Sequence, residues 1–249
     1  MPVPPSLRKS IQALREFIDS GGGGRAKGLS PYRLTFDLFR EPARILEDAE
    51  SLDAVLALAP QIEAYRGKGS QILQRAFTES LGDLLIQARP KTISLSQPEL
   101  FPPDREVPDS GGAAPEWAER LSDHFFSRVQ GKPARTGHAA GMRAGAWLAL
   151  GELSRYLRRP DHLSLALATA AATRNSVGER EGAVQFLVDY WAEEEPDEAT
   201  VALLEGLCEN PPNRGFLVTV LQAQIDLGLN DELGALMEVE GWDEEYEEE

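Results

Sequence analysis

The sequence predicts an all-α protein. Three observations carry that expectation: apolar residues recur at spacings of three and four along most of the chain, strand-like alternation is almost absent, and turn signals in the second half return at near-constant intervals. With 249 residues, 42% of them hydrophobic, the chain is long and apolar enough for one large domain or two small ones. That composition excludes a collagen, a disulfide-stapled miniprotein and a chain disordered throughout. One cysteine, Cys208, excludes an intramolecular disulfide and fits a reducing compartment.

The first element is a helix. Leu7, Ile11, Leu14 and Ile18 lie on one stripe with charges between them, the pattern of an amphipathic helix and not of a signal peptide. Nowhere do about 18 apolar residues run together, so no span of a bilayer is expected, and the reading is a soluble, cytoplasmic protein. Gly21–Gly24 separates this helix from 31–39, which reads as either helical or irregular. Leu52, Val55, Leu56 and Ala59 form a short stripe ending at Pro60, and Leu73, Phe77, Leu81 and Leu84 form a longer one. Six prolines and Gly111–Gly112 then fall within residues 90–115, where missing donors and fixed φ angles remove both helix and central strand. This segment is expected to be a linker or long loop, with Leu100 and Phe101 as a small apolar island. The best strand candidate, 92–95, is flanked by prolines and too short to build a sheet.

The second half repeats. Pro160-Asp161, Pro196-Asp197 and Asn230-Asp231 recur at intervals of 36 and 34 residues, with a second set at 175–178 and 210–213 between them. Each aspartate is expected to cap the next helix by accepting from its first amides. Helices are therefore predicted over 138–158, 161–174, 178–194, 197–209, 213–228 and 231–239, as three hairpins in series. A hairpin of this size cannot bury both its stripes alone, whereas stacking buries them continuously. The expected core of this half is Trp147, Leu150, Leu153, Leu163, Leu167, Phe186, Leu187, Trp191, Val201, Leu204, Leu207, Phe216, Val220, Leu221 and Leu233. The alanine-rich helix with Ala166, Ala168, Ala170, Ala171 and Ala172 is expected inside the stack, where small side chains let neighbours approach. The expected organisation is an N-terminal helical module (1–89), the proline-rich linker (90–115), a short right-handed helical-hairpin repeat stack (116–239) and an acidic tail (240–249).

Trp147, Leu150 and Gly151 match the opening W-x2-L-G of a tetratricopeptide repeat, and Ala170 falls where that motif has its later alanine. Ser154, Leu163, Leu167 and Asn175 depart from it, and the next two hairpins have no W-x2-L-G. At the level of architecture the second half thus resembles helical-hairpin repeats of the TPR or HEAT kind. The resemblance implies a protein–protein interaction scaffold with a concave groove.

Candidate chemistry is sparse. His124, His138 and His162 lack the spacing that puts two imidazoles on one helix face, and no H-E-x-x-H occurs, so each reads as a surface or capping residue. Cys208 has no cationic neighbour and reads as buried and structural. The glycine-rich stretches 21–28 and 67–70 have neither the order nor the preceding strand of a phosphate loop and read as connectors. No metal or cofactor is expected.

Charge is more telling. The formal net charge is −16, yet residues 181–249 alone hold twenty carboxylates against one cation. Ahead of them Lys132, Arg135, Arg143, Arg155, Arg158, Arg159, Arg174 and Arg180 surround the first hairpin of the repeat, and Arg135, Arg143, Arg155, Arg158 and Arg159 are the candidate basic patch. In the tail, Trp242, Asp243, Glu244, Glu245, Tyr246 and Glu247 combine charge with aromatic anchors, a composition suited to docking on a basic partner. The expected function is a non-enzymatic adaptor that binds another protein through the repeat surface and the acidic terminus. The alternatives are a nucleic-acid-associated factor using the Arg135–Arg180 patch, an acidic mimic of a phosphate surface, and an enzyme with a site around His138 or His162.

Overall fold

The computed structural model describes residues 3–22, 30–88, 114–133 and 137–230, and every regular element among them is a helix. The chain divides into two compact units, Met1–Phe125 and Phe126–Glu249, with the division inside one helix.

In the first unit, α1 (Pro5–Asp19) opens on a proline at its first turn, where a missing N–H costs nothing. It buries Leu7, Ile11, Leu14 and Phe17; the stripe ends on Phe17 rather than the expected Ile18, because Phe17 meets the Tyr65 ring at 5.8 Å. Residues 31–39 are resolved in favour of helix: α2 (Pro31–Leu38) is capped by the Ser30 hydroxyl, which accepts from the Arg33 amide at 3.2 Å. Two short helices follow, α3 (Pro42–Glu47) and α4 (Ala49–Leu56). Asp48 caps α4 by accepting from the Ser51 amide and hydroxyl, and these bonds hold its carboxyl below the usual range. The stripe expected to end at Pro60 is split, since Pro60 opens α5 (Ala59–Ala64) instead of closing α4. Helix α6 (Ser70–Ala88) buries Leu73, Phe77, Leu81 and Leu84 as its spacing predicts, and it packs on α2 and α3.

Helix α7 (Glu116–Val129) carries the chain out of the first unit. The second unit then contains α8 (Gly137–Ser154), α9 (Pro160–Ala171), α10 (Val177–Tyr190), α11 (Glu198–Glu209) and α12 (Arg214–Asp226). These follow the predicted helices to within a turn; the helix expected over 231–239 and its Leu233 lie outside the described residues. The Ser176, Asp197 and Asn213 side chains cap α10, α11 and α12 by accepting from Glu179, Thr200 and Phe216 amides. Asp161 is a correction: it sits in the first turn of α9 behind Pro160, where its charge suits the helix N-terminus without capping it.

The principal packing runs α8 on α10 and α10 on α12, with α9 on α10, α11 on α12 and α9 on α11. Consecutive pairs are therefore α9 with α10 and α11 with α12, one helix later than the pairs expected from the turns. Trp147, Leu150, Leu153, Phe186, Leu187, Leu204, Leu207, Phe216 and Val220 are buried. Leu163, Leu167, Trp191, Val201 and Leu221 are half-buried instead. In α9 the buried set is His162, Ala166, Thr169 and Ala170, a face one residue over from Leu163 and Leu167 and hence turned by about 100°. Ala168 and Ala171 are exposed.

Close approach is instead a property of α8 and α10. A Cβ on Gly182 would lie 2.9 Å from the Ala144 carbonyl oxygen and 3.1 Å from Trp147 Cβ, and one on Gly151 would lie 3.2 Å from Asp189 Cβ. Without side chains at these positions the two helices come together, and Trp147 packs edge-on against Phe186 at 5.4 Å.

Candidate protein-interaction surface

The candidate basic patch is divided by the structure into interior and surface. Arg143 is 8% exposed and lies inside the second unit, which corrects its expected place on a binding surface. Its Nε and Nη2 reach one carboxylate oxygen of Glu179 at 2.7 and 2.6 Å, and Glu179 is fully buried. Its Nη1 and Nη2 also donate to the carbonyls of Arg128 and Val129, both at 2.7 Å. Those carbonyls belong to the last turn of α7, whose final acceptors have no partner within the helix. One guanidinium thus closes the end of α7 and grips the first turn of α10.

Arg180 does the same one step further on. Also interior at 5% exposed, it donates from Nε to the Ala170 carbonyl in the last turn of α9 at 2.8 Å. Its guanidinium lies 4.5 Å from the centre of the Phe216 ring in the first turn of α12. Burial pulls its pKa below the ordinary arginine value. Arg143 and Arg180 are 37 residues apart, and so are their partners Glu179 and Phe216.

The signal for this was in the sequence at a period not expected from the turns. Residues 141–152 and 178–189 share G-x-R-x-G-A-x3-L-x-[DE], aligning Gly141, Arg143, Gly145, Ala146, Leu150 and Glu152 with Gly178, Arg180, Gly182, Ala183, Leu187 and Asp189. A third copy keeps Gly215 and Asp226 but has Leu217 at the arginine position.

Of the candidate patch, Arg155, Arg158 and Arg159 lie against acids of the following elements, whereas Arg174 of the wider cluster is exposed. Arg155 approaches Asp189 at 3.9 Å, and Arg159 pairs with Asp161 at 3.3 Å while lying 5.8 Å from the Phe126 ring. Arg158 pairs with Glu194 at 2.5 Å and lies 5.6 Å from the ring of Tyr190, whose phenol is pushed up by burial. Arg135 and the acidic-tail residues Trp242, Asp243, Glu244, Glu245, Tyr246 and Glu247 lie outside the described residues.

His162 is a correction of another kind. Expected at the surface, it is buried with its ring 4.2 Å from that of Phe126, as a core packing residue. His124 and His138 are half-buried. No group of three or more potential metal ligands occurs among the described residues. Cys208 is half-buried, and burial raises its thiol pKa, which opposes thiolate formation.

Each of α8, α10 and α12 leaves one stripe of positions toward solvent. Positions 141, 144, 148, 152 and 155 on α8 and its following turn are exposed or half-exposed. So are 178, 181, 185, 189 and 192 for α10, and 215, 218, 222, 226 and 229 for α12. Each set is the previous one shifted by 37. Helix α8 packs on α10 and α10 on α12, and the approach of Arg155 to Asp189 joins the first two stripes. Leu148, Val218 and Leu229 are 47%, 57% and 37% exposed there. Among the described residues of the first unit Tyr32, Phe36 and Ile72 are the exposed large apolar side chains, on the packed pair α2 and α6.

Comparisons with family models, curated proteins and solved structures give no match. None of the described helices is long and apolar enough to cross a membrane.

Proposed function

We propose that the protein is a non-enzymatic scaffold of helical-repeat type, akin in architecture to TPR or HEAT proteins, that binds another protein. The observation that carries the reading is the recurring clasp: an arginine on one helix closes the end of the helix before it and holds the start of the helix two further on, at a 37-residue period. Such a device belongs to stacked repeats, in which each unit buries its apolar face on the next and leaves a continuous outer surface. The stripes on α8, α10 and α12 provide that surface, and the acidic terminus with Trp242 and Tyr246 provides a second element for a partner with a basic surface.

The test is affinity purification from the native host with three forms of the chain: unaltered, ending at Val239, and carrying Leu148→Lys with Val218→Lys. The scaffold reading expects a protein recovered in fixed proportion by the unaltered chain and reduced by one of the alterations, with helicity by circular dichroism unchanged. Recovery of no protein partner by the unaltered chain overturns it.

A further inference from the structure

We infer that the joint outer face of α8, α10 and α12 docks a basic, apolar-anchored segment of a partner protein. This rests on the scaffold reading and names what that surface takes.

Of the fifteen stripe positions, Glu152, Glu181 and Asp226 carry outward carboxylates, while Asp189, its side chain 15% exposed, lies at the α8–α10 contact beside Arg155, the one cation. Arg143 and Arg180 are turned inward and add no cation to the face. The face therefore presents negative charge around Leu148, Val218 and Leu229, a setting that suits Lys or Arg side chains interspersed with apolar ones.

Glycines line the same stripes. Glycine is a poor helix residue, because it fixes more backbone freedom and buries no side chain. Gly141, the fifth residue of α8, nevertheless aligns at the 37-residue period with Gly178 and Gly215, each the second residue of its helix. Close packing explains Gly182 and Gly151, but not these two: a Cβ built on Gly141 or Gly178 meets nothing within 4 Å. No neighbour inside the unit needs the space at these two, whereas a Cβ on Gly215 would lie 3.3 Å from the Asn213 Oδ1 that caps α12. A row of bare backbone on an exposed helix face is what a second chain uses to approach closely, and its place at the end of all three stripes puts that approach on the same face as the carboxylates and the apolar side chains.

The experiment uses the full chain and a fluorescein-labelled peptide of repeated Lys-Ala-Leu triplets, with a Glu-Ala-Leu peptide as its control. Binding is read by anisotropy and located by hydrogen exchange. The Lys peptide is expected to bind and the Glu peptide not to, with protection over α8, α10 and α12. Leu148→Lys with Val218→Lys is expected to weaken binding by about tenfold or more. Gly141→Ala with Gly178→Ala is expected to raise the thermal midpoint while weakening binding, a combination that a purely structural role for these glycines does not produce. Binding unchanged in both double variants, with protection confined to residues 231–249, overturns the inference. So does a natural partner that is lost on ending the chain at Val239 yet unaffected by the face variants, an outcome that leaves the scaffold reading standing. Recovery of no natural partner by the unaltered chain is the separate failure of that reading.

Discussion

The two interior arginines occupy one position of a repeat and solve one problem with different chemistry. At α8, the helix two further on answers Arg143 with a carboxylate; at α10, it answers Arg180 with an aromatic ring. In both cases the guanidinium also takes up carbonyls at the end of the preceding helix, so that part of the device is common. What the two copies share is the bridge from a helix end to a helix start, made with an ion pair at Arg143 and with a ring at Arg180. A planar group with several donors bridges a helix end and a helix start, and the second partner is free to be Glu179 or Phe216. The two versions also carry different risks. Glu179 brings a full charge into a site with no exposure, and its second carboxylate oxygen accepts no hydrogen bond among the described residues. Phe216 brings none.

That contrast is broken most sharply by removing the charged partner. Glu179→Ala leaves Arg143 buried beside carbonyls alone and is expected to destabilise the second unit by about 3–5 kcal/mol in urea unfolding, since an uncompensated interior charge is among the costliest single changes. Gly182→Leu comes next. It forces a side chain into the space between α8 and α10, against Ala144 and Trp147, with an expected loss of about 1–3 kcal/mol. Arg180→Met keeps much of the apolar stem but gives up the bond to Ala170 and the contact with the Phe216 ring, for about 1–2 kcal/mol by the same measurement. Outside the stack, Arg158→Ala breaks the pair with Glu194, whose carboxylate side chain is 63% exposed. Its expected cost is below about 1 kcal/mol, and raising the salt concentration is expected to diminish it further.

Fold class and helix limits were legible because they depend on local signals. Leu73, Phe77, Leu81 and Leu84 mark one face of α6 without help from any other part of the chain, and Asp197 caps α11 as its position beside the helix start suggests. Failures came where a distant neighbour decides. Alanine and leucine in α9 offer two possible buried faces one residue apart, and the small one was selected, with His162 drawn in against Phe126. Pairing of helices failed for a related reason: turn spacing reports where helices end, not which neighbour each one meets.

The basic patch was legible only in part. A cluster of arginines in sequence says nothing about which of them turn inward, and Arg143 and Arg180 differ from Arg155 and Arg158 only through what stands opposite. Their 37-residue register was the available clue, hidden because the turn signals beside it run at 34 to 36. Aligning helices on their interior residues, and not on their connecting turns, would have revealed it.

An arginine clasp couples α8 to α10. A double-mutant cycle on Arg143→Met and Glu179→Leu tests it most directly, read as the free energy of urea unfolding of the full chain. The double variant is expected to lose less than the sum of the two single effects by about 1–3 kcal/mol, while keeping the cost of the two α7 carbonyls that Arg143 no longer serves. Two single effects that simply add in the double variant would mean that Arg143 and Glu179 act independently and that no such clasp holds the stack.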